Sequence, residues 1–139
     1  MRLVLDTNVL VSAFLWEGIP GRLIELAGEQ AVVLYTSRAL LEELDAVLQR
    51  KKFARRVQAT GLSAAQLVRH YQRLAHRVTA RQLTQRISRD VDDDQVLACA
   101  LAAKADLIVS GDRDLLDLKA FRGMPIVTAA EIVTQMEKQ

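Results

Sequence analysis

Four acidic residues, far apart in the chain, each stand where an apolar strand or helix can deliver a side chain to one shared rim. They are Asp6 after Arg2-Leu3-Val4-Leu5, Glu43 in the helix-like run Ala39 to Leu48, Asp93 within Asp90-Val91-Asp92-Asp93-Asp94, and Asp112 after Asp106-Leu107-Ile108-Val109-Ser110-Gly111. Carboxylates that converge repel one another unless a cation holds them together. Hard divalent cations prefer oxygen ligands, so such a cluster points to Mg²⁺ or Mn²⁺. An ion held there activates water and neutralises phosphate charge, while a carboxylate can orient that water or accept its proton. Phosphate chemistry is the expectation.

Elements with the right periodicity surround these acids. Residues 2–5 form a short, continuously apolar strand. Thr7 and Asn8 offer an N-cap for a helix over Val9 to Leu15, which the run Glu17-Gly18-Ile19-Pro20-Gly21 ends. A further short helix spans Arg22 to Ala27, and Ala31 to Tyr35 is the second strand. Thr36 or Ser37 caps a helix from Arg38 to Gln49, with Leu40, Leu41, Leu44, Val47 and Leu48 at helical spacing. A helix or turn lies within Lys51–Gly61, and Ser63 caps a helix through Ala75. Val78-Thr79 suits a short strand. A helix runs to Lys104, Leu107 to Ser110 is a strand, and Asp114-Leu115-Leu116 a helical turn. Pro125 to Val127 is the last strand and Ala129 to Glu137 the last helix.

Strands alternating with helices imply right-handed crossovers and a parallel sheet covered on both faces. The expected fold is therefore a three-layer α/β/α domain with a central parallel sheet of four or five strands. Sites in such folds lie beyond the carboxyl ends of the strands, at the switch point in strand order. Asp6 and Asp112 both stand at strand carboxyl ends.

Composition narrows the class. The chain of 139 residues is half hydrophobic and a quarter charged, which suits one globular domain over 1–139. Aromatic residues make up only 4%, so an aromatic platform is not expected as the main mode of nucleic-acid recognition. Cys99 is the one cysteine and sits in an apolar run, as a small core residue does. No signal pattern or membrane-length apolar run occurs, and a cytoplasmic location is expected. The net charge of +2 conceals a partition. No acid lies between Asp45 and Asp90, where Arg50, Lys51, Lys52, Arg55, Arg56, Arg69, Arg73, Arg77, Arg81, Arg86 and Arg89 gather. The rest of the chain holds the other eight Lys and Arg and all 17 acids. A polyanion suits the first region and metal ions the second. Arg69, Arg73 and Arg77, four apart, are expected as a basic stripe on one helix.

Asp6-Thr7-Asn8, Ser37 with Glu43-Leu44, Asp93 with Ala100-Leu101, and Ser110-Gly111-Asp112-Arg113-Asp114 together resemble the PIN-domain ribonucleases. They are most similar to the bacterial branch described as toxin components of toxin–antitoxin systems. The resemblance runs from Leu3 to Val127. It implies that Asp6, Glu43, Asp93 and Asp112 are catalytic, metal-binding acids with Asp114 as an accessory metal ligand, and that Asn8 and Ser110 are polar neighbours. It also implies an Mg²⁺- or Mn²⁺-dependent endoribonuclease leaving a 5′-phosphate and 3′-hydroxyl, with RNA as substrate, a small antitoxin protein as partner and a homodimer as an option. Asp93 is preferred over Asp94 because it stands seven residues before Ala100, with Asp94 as the rival.

Other chemistry-bearing residues have plainer uses. Glu42 is expected to be solvated beside Glu43, Asp106 to precede a strand and Asp117 to lie on the surface. His70 and His76 suit phosphate contact or exposure, and Trp16 suits packing or an interface more than base stacking. Two rival functions remain open. Asp6 and Asp112 also resemble the first and last acidic motifs of haloacid-dehalogenase-like phosphatases, although the second aspartate of that family is Asn8 here. A non-catalytic module binding nucleic acid or a partner is the other.

Overall fold

A computed structural model describes residues 1–83, 87 and 91–138. Arg86, Arg89, Asp90 and the side chain of Asp92, all considered from the sequence, lie outside the described residues.

The chain opens with β1 (Arg2–Leu5), α1 (Thr7–Leu15), α2 (Ile19–Gly28) and β2 (Val33–Thr36). Helix α3 (Arg38–Leu48), a 3₁₀ turn (Lys51–Phe53), α4 (Ala54–Ala59), α5 (Ala64–Leu74) and β3 (His76–Arg77) follow. The remainder comprises α6 (Val91–Ala103), β4 (Leu107–Val109), α7 (Arg113–Leu118), β5 (Ala120–Phe121), β6 (Met124–Val127) and α8 (Ala129–Glu137).

These strands form a six-stranded sheet in the order β3-β2-β1-β4-β6-β5. Every pairing is parallel except that of β5 with β6. Five parallel strands match the upper count expected from sequence, and β5 adds an antiparallel edge that periodicity did not reveal. Two residues are too few to show alternation. Its connection to β6 puts Arg122 and Gly123 at φ 47 and 83, the left-handed conformation of a two-residue hairpin.

Alternation across the pleat divides the core into two. Leu3, Leu5, Leu34 and Val109 pack on one face with Leu10, Leu44 and Tyr71. Val4 and Ile108 face the other way, against Val96, Leu97 and Ala100 of α6 and Leu115 of α7. This is the period of two expected of strands buried on both faces. Leu44 is fully buried, which contributes about 1.5–3 kcal/mol relative to exposure.

Several boundaries differ from the sequence expectation for physical reasons. Helix α1 begins at Thr7, with Asp6 at the N-cap, rather than after a Thr7 or Asn8 cap. Helix α2 begins at Ile19, three residues early, because Pro20 occupies its first turn, where no backbone N–H is required. The second strand starts at Val33 rather than Ala31. Strand β3 is His76–Arg77, not Val78-Thr79, and Arg77 therefore leaves the helical stripe with Arg69 and Arg73. Ser37 and Ser63 cap α3 and α5 as expected, and Ser63 forms a reciprocal capping box with Gln66. Among the described residues, no helix is long and apolar enough to cross a membrane.

Candidate metal centre

The order of strands reverses between β1 and β4, and the acids gather at the carboxyl ends of these two strands. Asp6 directly follows β1, and its N–H donates to the carbonyl of Val109 at 2.9 Å, locking the two strand ends together. Directly after β4, the hydroxyl of Ser110 donates to Asp6 Oδ2 at 2.8 Å and accepts the N–H of Asp112 at 2.9 Å. One fully buried serine thus ties the two acids into a single rim.

Asp112 has two tasks. Its Oδ1 accepts the N–H groups of Asp114 and Leu115 at 2.8 and 3.3 Å, so it caps α7. The same residue, with Asp93 and Asp114, offers carboxylate oxygens that all lie within 4.8 Å of one another. Asp93 comes from the first turn of α6 and is 4% exposed. Asp114 is exposed and Asp112 intermediate, so the cluster opens outward from a buried base.

Asp6, Asp93 and Asp112 stand at the N-terminal ends of α1, α6 and α7. Helix dipoles favour negative charge there, by about 0.3–1 kcal/mol each near a surface. That offsets part of the repulsion among neighbouring carboxylates. The donors are all hard oxygens, which fits Mg²⁺ or Mn²⁺ rather than a thiophilic ion.

Glu43 comes from α3 and, like Asp6, lies outside the three-carboxylate cluster. Its Oε2 accepts the hydroxyl of Thr7 at 2.8 Å, across 36 residues of sequence. Thr7 was read from sequence as a helix cap; it is buried and holds a candidate acid instead. Asp94, the rival to Asp93, accepts the N–H of Ile87 at 3.2 Å and lies outside the three-carboxylate cluster. Asn8 is exposed and lines a cavity of about 580 Å³ with Ser12, Ser110, Asp112 and Arg113.

The plainer assignments agree with the geometry. Glu42 is exposed and pairs with Arg38 at 3.0 Å. Asp106 accepts the N–H of Arg2 at 2.7 Å at the opposite end of the sheet, and Asp117 is exposed. His70 and His76 are exposed, meeting Phe14 and Tyr35 respectively. Cys99 is fully buried, and burial pushes its thiol up to about 12, which removes it as a nucleophile near neutrality.

A family model described as PIN domain matches residues 2–114. The chain belongs to the PIN domain family. This PIN domain is 28% identical over 120 residues to uncharacterized protein MJ1680 of Methanocaldococcus jannaschii, covering 86% of this chain and 76% of the relative. That relative is archaeal, so membership is established at the level of the family and not of a bacterial branch. Among solved structures, the fold is shared with VapBC2 from Rickettsia felis bound to a DNA fragment from its promoter. The TM-score is 0.62 at 16% identity, over 92% of this chain and 98% of the other. It is also shared with Mycobacterium tuberculosis VapC20, described as a sarcin–ricin loop cleaving toxin. There the TM-score is 0.54 at 12% identity, over 90% and 99% of the two chains.

Proposed function

We propose that this PIN domain is a metal-dependent endoribonuclease and the toxin component of a toxin–antitoxin pair. The observation that carries the proposal is the close approach of the carboxylates of Asp93, Asp112 and Asp114 at the strand switch point. Ser110 couples that group to Asp6, and the neighbouring Thr7 holds Glu43. Family membership supports nuclease chemistry, and the likeness to VapBC2 and VapC20 supports a small antitoxin as partner.

Asp93, Asp112 and Asp114, with Asp6, would hold Mg²⁺ or Mn²⁺. Such an ion, when bound, lowers the pKa of water and offsets charge on the phosphate and leaving oxygen. The residues of the chain do the rest. Ser110 fixes the Asp6 carboxylate, and the α7 cap fixes Asp112. Glu43, restrained by Thr7, would orient the attacking water and take its proton. In the overall hydrolysis the water oxygen bonds to phosphorus and the P–O3′ bond breaks. The 3′ oxygen leaves with a proton, giving a 5′-phosphate and a 3′-hydroxyl.

A phosphatase of the haloacid-dehalogenase type gains no support. Asn8 stands where its second aspartate is needed, and Glu43, which Thr7 holds, would be surplus in that chemistry. The test is hydrolysis of end-labelled RNA in Mg²⁺ or Mn²⁺. Asp6→Asn and Asp112→Asn are expected to reduce cleavage at least 100-fold while keeping the fold, since asparagine also caps a helix. Cleavage by both variants at the parent rate would remove the acids from the reaction.

A further inference from the structure

Trp16, the single tryptophan of the chain, is 40% exposed at the C-terminal end of α1. The Arg56 guanidinium lies 4.8 Å from its ring centroid, and Phe53 meets it edge-on at 5.9 Å. The Lys52 ammonium lies 5.0 Å from the centroid of Phe53. Lys51, Lys52, Arg55 and Arg56 are all exposed here, within a region that holds no acid from residue 46 to 89. Glu17, also exposed, is the acid in the adjoining turn.

The position of this shelf relative to the acids is set by α1. Asn8 and Ser12 are four residues apart on one face of the helix, and Trp16 follows as its C-cap in extended backbone, its N–H bonded to the Ser12 carbonyl. Asn8 and Ser12 line the cavity that takes in Ser110 and Asp112 at one end and reaches Ile19 and Pro20. From Asn8 to the C-cap at Trp16 the helix axis rises about 12 Å. That is roughly three or four nucleotides at a stacked spacing of about 3.4 Å.

We propose that Trp16, with Phe53, Lys52 and Arg56, is a base-stacking subsite for single-stranded RNA, three or four nucleotides from the bond cut at the acidic rim. The subsite rests on the nuclease function proposed above. Its chemistry selects a nucleic acid strand because two needs are met together. Phosphates answer the exposed cations, and bases answer the aromatic faces. An apolar partner helix would have to desolvate those charges without pairing them. A base takes the place of Arg56 on the ring, and the guanidinium turns to the adjoining phosphate.

Because Trp16 is the one tryptophan, its emission reports on this site alone. The full chain, with EDTA present so that nothing is cut, is titrated with a short oligouridylate, with an abasic strand of equal phosphate count, and with polyglutamate. Saturable quenching by oligouridylate is expected, with little from the other two. Trp16→Ala should weaken binding of the end-labelled strand about tenfold, and Trp16→Phe should restore most of it. Unchanged emission, equal quenching by polyglutamate, or undiminished binding by Trp16→Ala each overturns the subsite. The emission arm uses only the parent chain, so it stands whatever the variants do. A parent that is quenched by oligouridylate but never cuts RNA in Mn²⁺ loses the nuclease and keeps the subsite. One that cuts equally well with Trp16→Ala and shows no quenching loses the subsite and keeps the nuclease.

Discussion

The hydroxyl of Ser110 joins the two strand-end acids by donating to Asp6 and accepting from the N–H of Asp112. Its importance was legible only as a polar residue in a familiar motif, because its partners lie 104 and 2 residues away. Thr7 was harder still. A hydroxyl after a strand looks like a helix cap, and nothing local reveals a partner in α3. The choice of Asp93 over Asp94 came from spacing to Ala100, and the two residues differ in their surroundings. Asp93 faces Asp112 and Asp114, whereas Asp94 accepts a backbone N–H. Mn²⁺ at 100 times its dissociation constant should stabilise the parent by about 2.7 kcal/mol, a rise of several degrees in Tm. Asp93→Asn should lose most of that rise. Asp94→Asn should keep it. Equal metal responses in differential scanning calorimetry would place the ion elsewhere.

Helices and strands were legible wherever an apolar period ran for two turns or more. Helix α3 was foreseen almost to the residue because five apolar positions and a capping serine agree. Where the pattern is short, context decided. Pro20 was read as a breaker but starts α2, since proline is disruptive within a helix and acceptable in its first turn. The spacing of Arg69, Arg73 and Arg77 was right for a helix, yet α5 ends at Leu74 and Arg77 belongs to β3. The capping box on α5 carries a direct prediction. Ser63→Ala removes the acceptor of the Gln66 N–H at 3.1 Å and should cost about 1 kcal/mol in urea unfolding. An unchanged midpoint would mean that the box contributes nothing to stability.

At the scale of the molecule, sheet order sets where the strand-end acids lie and the charge partition sets where the cations gather. Alternating strands and helices predicted the parallel sheet, and its order puts β1 beside β4 with both acidic turns at the switch point. The edge hairpin of β5 escaped notice because its information lies in the left-handed turn at Arg122 and Gly123 rather than in any apolar period. The described cations of the acid-free region are exposed, from Arg50 to Arg81. Arg69 and Arg77 line one groove between α5 and α3 although they come from different elements. If both meet phosphates, replacing the pair by alanine should flatten the salt dependence of single-strand binding by about 1.4 in log–log slope. An unaltered slope would take this groove out of the RNA path. The central claim is that the acidic rim cuts RNA with the help of a divalent ion. The most direct measurement is single-turnover cleavage of end-labelled RNA by the parent chain while Mn²⁺ is added and then withdrawn with EDTA. Cleavage that rises with Mn²⁺, stops with EDTA and leaves 5′-phosphate ends is the predicted result; cleavage indifferent to EDTA, or none at saturating Mn²⁺, would contradict it.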